Sequence, residues 1–174
     1  MKKLLLTGLI GVVSAFGFGN YNPIENLNVV SIDYHIGRTD GDTSSGLYVG
    51  LDKYLKNTKN LSMLDINYFA GIKKIDKNNA TDPIYLEWGI KPSYIFPATS
   101  DGSILAEGGL TGKLIVRING NQNRSGLGIG PFVRINFMPN KIPLSFNIGL
   151  GYNFIIAKDS YNENYLTLGL KINF

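Results

Sequence analysis

The chain has 174 residues, including 21 glycines and no cysteine, and 17 Lys and Arg against 13 Asp and Glu give a formal charge of +4. That length suits one domain with its own core or one closed barrel. The charge is too small to argue for nucleic acid, and without cysteine the fold must close by hydrogen bonding and packing alone.

The first 19 residues, MKKLLLTGLIGVVSAFGFG, place Lys2 and Lys3 before an apolar run from Leu4 to Val13, with small residues suited to cleavage near Ala15 to Gly19. This is the pattern of a secretory signal peptide, and it is too short for a membrane helix, which needs about 20 apolar residues. Its removal would lower the formal charge from +4 to +2 and leave residues 20–174 as the folding body. No later run is long enough to span as a helix, and mean hydropathy is +0.01. Strands that alternate apolar and polar residues average out to such a value.

After a lead-in at 20–27, eight stretches alternate with period two, separated by segments rich in Gly, Asn, Asp, Pro, Lys and Ser. Over 28–37, Val30, Ile32, Tyr34 and Ile36 share one face, with Asp33, His35 and Gly37 on the other. Over 47–55, Leu47, Val49 and Leu51 oppose Tyr48, Gly50 and Asp52. The stretch 61–72 sets Leu64, Ile66, Tyr68 and Ile72 against Asp65, Asn67, Phe69 and Gly71, and 84–96 sets Leu86, Trp88, Ile90 and Phe96 against Glu87, Gly89, Lys91 and Ser93. In 103–118, Leu110, Leu114 and Val116 oppose Glu107, Gly109, Lys113 and Arg117. In 127–138, Ile129, Val133 and Ile135 oppose Gly128, Phe132, Arg134 and Asn136. In 144–156, Phe146, Ile148, Leu150 and Phe154 oppose Asn147, Gly149 and Asn153. The last stretch, 164–174, reads YLTLGLKINF from Tyr165 and sets Leu166, Leu168, Leu170, Ile172 and Phe174 against Thr167, Gly169 and Lys171. Ordinary strands run about 5–6 residues, whereas a tilted membrane crossing takes about 9–11. These lengths favour the membrane. Pro92 and Pro131 lie inside strands, where loss of a ladder bond usually marks a bulge, and predict local irregularity.

Alternation alone does not say which face is inside. Ten of the 21 glycines lie in the polar rows. An eight-stranded barrel is only just wide enough for side chains, so glycine there makes room for long neighbours. The same rows carry Asp33, Asp52, Asp65, Glu87 and Glu107 against Lys91, Lys113, Arg117, Arg134 and Lys171, five charges of each sign. A narrow dry lumen demands such balance, because an unpaired buried charge costs several kcal/mol. These ten residues are the predicted lumen charge network. A hairpin joining Phe96 to Ser103 would bring Lys91 near Glu107 and Glu87 near Lys113, and closure at 73–83 would bring Asp65 near Lys91 as a hub.

With the signal peptide, eight strands, a polar lumen and the terminal YLTLGLKINF, the chain resembles the small eight-stranded outer-membrane barrels of the OmpA transmembrane domain and OmpX type. The resemblance implies an all-β, up-and-down antiparallel transmembrane β-barrel in the cell outer membrane. Its partners would be outer-membrane lipid, lipopolysaccharide and, during insertion, the barrel-assembly machinery, for which Phe174 would be the signal. It also implies a periplasmic N-terminus, and because nothing follows Phe174 we expect the peptidoglycan-binding domain that OmpA proteins carry to be absent.

Chemistry is sparse. His35 is the only histidine, and the His-x-Ser pair of barrel lipid A deacylases is missing because Ile36 and Gly37 follow it. TDGDTSSG at 39–46 lacks the Glu an EF-hand needs at its twelfth position, here Leu51, and GLGIG at 126–130 lacks a following helix. We therefore expect no catalytic, metal or cofactor site and no enzymatic activity. Expected extracellular loops at 38–46, 73–83, 119–126 and 157–163 would offer Lys73, Lys74, Lys77, Arg124 and Lys158 to lipopolysaccharide phosphates. The expected role is structural or surface-associated. The alternatives are a small porin-like channel, a lipid A-modifying enzyme and a secreted soluble ligand-binding barrel.

Overall fold

The computed structural model describes residues 21–23, 29–57, 63–77, 82–119, 125–139 and 143–173, so the expected signal peptide and Phe174 lie outside the described residues. A short strand β1 (Tyr21–Pro23) precedes β2 (Val29–Thr39), β3 (Asp42–Asn57), β4 (Met63–Asp76), β5 (Ile84–Pro97), β6 (Ile104–Arg117), β7 (Gly126–Phe137), β8 (Leu144–Ile156) and β9 (Tyr161–Asn173). Each of β2 to β9 pairs antiparallel with its chain neighbour, and β2 also pairs with β9, which closes an eight-stranded up-and-down barrel. Closure removes every free edge, and a bilayer requires this because it offers no water to an unpaired N–H or C=O. Strand β1 is extra, adding to β3 at Leu55–Asn57.

The apolar rows face outward. Leu51, Val133 and Leu150 are 62%, 60% and 61% exposed, while Asp65, Glu87 and Arg134 are 0%, 1% and 4% exposed. A band of exposed Leu, Ile, Val and aromatic residues around a polar interior is stable only against hydrocarbon. The reading as a secreted soluble barrel fails on this orientation.

Several strands run further than alternation predicts. The segment 38–46 is not a loop: Thr39 pairs with Asp42 across a two-residue turn of Asp40 and Gly41, whose φ values are 55° and 87°. Asp-Gly suits such a turn because both positions need positive φ. Strand β4 likewise continues to Asp76, and β9 begins at Tyr161. At this end, called distal here, the outward rows of β2, β4 and β9 turn polar, as at Arg38, Lys74 and Asn164, so the ladder continues after the alternation has vanished. The other, proximal, end holds the start of β2 and the finish of β9.

The β5–β6 register also departs from expectation. Phe96 faces Ala106 and Pro97 faces Leu105, so Ile95 rather than Lys91 lies opposite Glu107. The turn lies further along the chain than expected. Ala98 N–H donates to Ile104 O at 2.8 Å, and Gly102 adopts φ 69°. Hydrogen bonds from Thr99 and Ser103 hold the Asp101 carboxyl down to about 2.

The two prolines leave gaps rather than bulges. The β5–β6 ladder passes from Ile90–Gly112 to Ser93–Gly109, and the β7–β8 ladder from Ile129–Phe154 to Phe132–Gly151. Both strands skip the same number of residues, so a missing N–H interrupts bonding without shifting register.

Placing a cation at the middle of the outer band tests the orientation. Leu150→Arg should lower the unfolding free energy in vesicles by about 2–4 kcal/mol, and Ile156→Arg at the strand end by about 0–1 kcal/mol. Guanidinium titration checks both, and equal small costs would contradict a hydrocarbon-facing band.

Candidate functional site

The lumen is built in layers. At its distal end, inward positions of five strands supply Ile75, Tyr85, Ile115, Ile155 and Tyr161, a buried apolar cluster. Beneath it lie two lysines and two glutamates. Lys73 Nζ is 2.7 Å from Glu87 Oε1 and 2.8 Å from Glu163 Oε1. Lys113 Nζ is 2.7 Å from Glu87 Oε2 and 2.5 Å from Glu163 Oε2. Each cation therefore bridges both acids in a closed ring. Tyr48 donates its hydroxyl to Glu87 at 2.9 Å, and Asn153 donates to Glu163 at 3.0 Å.

Aromatic rings fill the middle. His35 stacks on Tyr165 with centroids 4.4 Å apart and lies 4.2 Å from Tyr48, whose ring meets the edge of Phe69. His35 Nε2 has no hydrogen-bond partner among the described residues.

Toward the proximal end is a second ionic cluster. Arg134 grips Glu107 with two bonds, Nε to Oε2 at 2.7 Å and Nη2 to Oε1 at 2.6 Å. This is the fork geometry in which guanidinium binds carboxylate most strongly. Ser93 and Asn136 also donate to Glu107, at 2.7 and 2.9 Å. Lys171 Nζ lies 2.8 Å from Asp52, 3.2 Å from Asp65 and 3.7 Å from Glu107, and donates to Tyr54 OH at 3.1 Å. Lys91 sits 3.5 Å from Asp33 and 4.7 Å from the Phe69 ring centre.

Nine of the ten sequence-predicted charges fall in these two clusters. Glu87 does meet Lys113, but Lys91 pairs across the lumen with Asp33 rather than with Glu107, and Asp65 meets Lys171. Lys171 and Arg134, not Lys91, join several acids. Arg117 stands apart: half-buried two residues beyond the plug residue Ile115, it turns its Nε to Asn119 O.

Two members of the upper ring were missed. Lys73 was expected in a loop facing lipopolysaccharide, yet it is 2% exposed and bound on both sides by Glu87 and Glu163. Continuing the inward parity from Gly71 to Lys73, and back from Tyr165 to Glu163, would have found both. What hid them is that their outward neighbours Lys74 and Asn164 are polar. At the distal rim Lys74 pairs with Asp76 and Asp82, and Lys77 lies 3.7 Å from Asp42. Bonds from Lys74 and the Lys77 N–H hold the Asp82 carboxyl below its ordinary range. Lys158 is exposed, and Arg124 lies outside the described residues.

No protein-family model and no curated protein sequence matches the chain. Solved structures do. Neisserial surface protein A aligns with TM-score 0.59 at 14% identity, covering 85% of this chain and 96% of that one. The fold is that of the small outer-membrane β-barrels. Ail of Yersinia pestis, solved with the heparin analogue sucrose octasulfate, aligns with TM-score 0.54 at 14% identity over 87% of this chain and all of its own. The outer membrane enzyme PagL aligns with TM-score 0.51 at 15% identity over 82% and 98%. PagL overturns the expectation that this chain is not an enzyme, because an enzyme exists on the same architecture and the fold therefore does not exclude catalysis. An outer-membrane location agrees with this fold and with the apolar band.

The charge clusters make a specific prediction about stability. Arg134→Met leaves Glu107 buried without its fork and should cost about 3–5 kcal/mol. Adding Glu107→Gln should recover part of that loss, because contacting residues are not additive. Unfolding of the two single variants and the double variant in vesicles measures the coupling.

Proposed function

We propose that the protein is a sealed outer-membrane barrel with a structural or surface-associated role, its termini in the periplasm and its distal rim outside the cell. The observation that carries this reading is the filled lumen. An apolar plug, a four-membered ionic ring, a layer of aromatic rings and a second ionic cluster follow one another along the axis. An ion would have to break several short charge pairs to pass, which disfavours the channel alternative. In this reading the partners are outer-leaflet lipid and lipopolysaccharide. Phe174, which shares the sequence parity of Leu166, Leu168 and Ile172, serves the barrel-assembly machinery during insertion.

Planar-bilayer recording tests the sealed lumen. Purified protein should give no steady open steps, and reproducible steps of fixed size would overturn the reading. Insertion is tested in cells. Deleting Phe174 should cut the heat-modifiable form recovered from outer membranes several-fold, and unchanged recovery would remove Phe174 from that role.

A further inference from the structure

The distal rim carries a polar cleft whose inner wall is the plug residue Tyr161 and whose other lining residues lie outside the lumen ion pairs. Its volume is about 360 Å³, and Arg38, Asn164, Tyr152, Ser160, Asn162 and Asp40 help line it. Three of these come from adjacent strands in register, since Arg38 of β2 faces Asn164 of β9, which faces Tyr152 of β8. All three are exposed on the outer wall. Two residues toward the proximal end, the same three strands align Ile36, Leu166 and Leu150, and Ile36 and Leu150 are among the exposed residues of the apolar band. The cleft thus opens outward where hydrocarbon gives way to headgroups.

Its chemistry is that of a donor set. Asn164 Oδ1 accepts the backbone N–H of Arg38 at 3.2 Å. This fixes the amide and leaves its NH₂ to donate beside the Tyr152 hydroxyl and the Arg38 guanidinium. Lys74 and Lys77 at the same rim are taken up by carboxylates. No ion pair of Arg38 is seen among the described residues. Guanidinium is the side chain best shaped to bind phosphate oxygens two at a time, and tyrosine favours the boundary between apolar and polar layers. Asp40 is the acid in the lining, and its backbone N–H is held by Asn162 O at 2.9 Å.

We propose that Arg38, Asn164 and Tyr152 form a docking site for the phosphate of an outer-leaflet glycolipid headgroup. The acyl chains would run down the Ile36, Leu166 and Leu150 row. This inference rests on the outer-membrane reading and names the lipid contact within it. The sequence had pointed to Lys73, Lys74, Lys77, Arg124 and Lys158 for that contact; of these, Lys73 is bound within the lumen, and Lys74 and Lys77 pair with carboxylates at the rim.

The test uses the full mature chain folded in an uncharged maltoside detergent and titrated with diphosphoryl lipid A. Arg38→Gln should weaken binding about tenfold, as expected for loss of charged hydrogen bonds. Lys53→Gln, an exposed cation at the proximal end, should leave binding unchanged. Inorganic phosphate should not displace the lipid. Tyr152→Leu provides the same test should Arg38→Gln not fold, and heat-modifiable migration shows which variants are folded. Equal binding by the folded Arg38 or Tyr152 variant sinks the site, as does an equal loss in Lys53→Gln. Displacement by inorganic phosphate at matching concentration would make it a site for soluble anions and overturn the lipid assignment. Failure of the outer-membrane reading looks different, because the wild-type protein would then be absent from the outer-membrane fraction.

Discussion

A cylinder of eight strands has no room inside for water to solvate charge, so every ionic side chain that turns inward must find its counter-charge on another strand. The rest of the molecule follows from that demand. Lys73 and Glu163 belong to strands β4 and β9, and their bond at 2.8 Å spans the lumen. Arg134 joins β7 to β6 through Glu107, and Lys171 ties β9 to β3 and β4 through Asp52 and Asp65. The Arg134–Glu107 fork reinforces a rung of the β6–β7 ladder, whereas the Lys73 and Lys171 contacts brace the wall between strands that the ladder does not join.

Glycine is the counterpart of this crowding. A Cβ on Gly151 would meet the Tyr165 ring, and one on Gly169 would meet Asp33 and Asn147. The aromatic layer around His35 therefore exists because the facing position on β8 lacks a side chain. The energetic cost of glycine in a strand is accepted where it lets a large ring or a carboxylate lie across the lumen.

The inside-out arrangement was legible from parity, because Leu, Ile and Val occupy one row while Asp, Glu, Lys and Gly occupy the other. So were the eight strands and most of the charged set. The distal ends were not legible. On β3, β4 and β9 the outward row turns polar beyond the apolar band, so Lys73 and Glu163 looked like loop residues and Thr43 to Ser45 like part of a loop, although the ladder runs through them. The apolar plug was hidden for the opposite reason. Ile75, Ile115 and Ile155 hold inward positions where alternation predicts polarity, and only their convergence in space gives them a role. Pairing across the lumen was also beyond the sequence. It depends on register, and a register that sets Ile95 opposite Glu107 moved Lys91 away from it.

The prolines give the wall an uneven circumference. Pro92 interrupts the ladder between β5 and β6, and Pro131 the one between β7 and β8. The β6–β7 pair is therefore a panel with a thinned seam on each side, stitched to each other by an unbroken ladder from Ile104–Phe137 to Ile115–Gly126. Side-chain ion pairs inside the lumen connect this panel to the strands beyond one of the seams. Glu107 and Arg134 clasp each other on its inner surface, and Lys113 and Arg134 reach from it to Glu163 and Asp33 on strands beyond that seam.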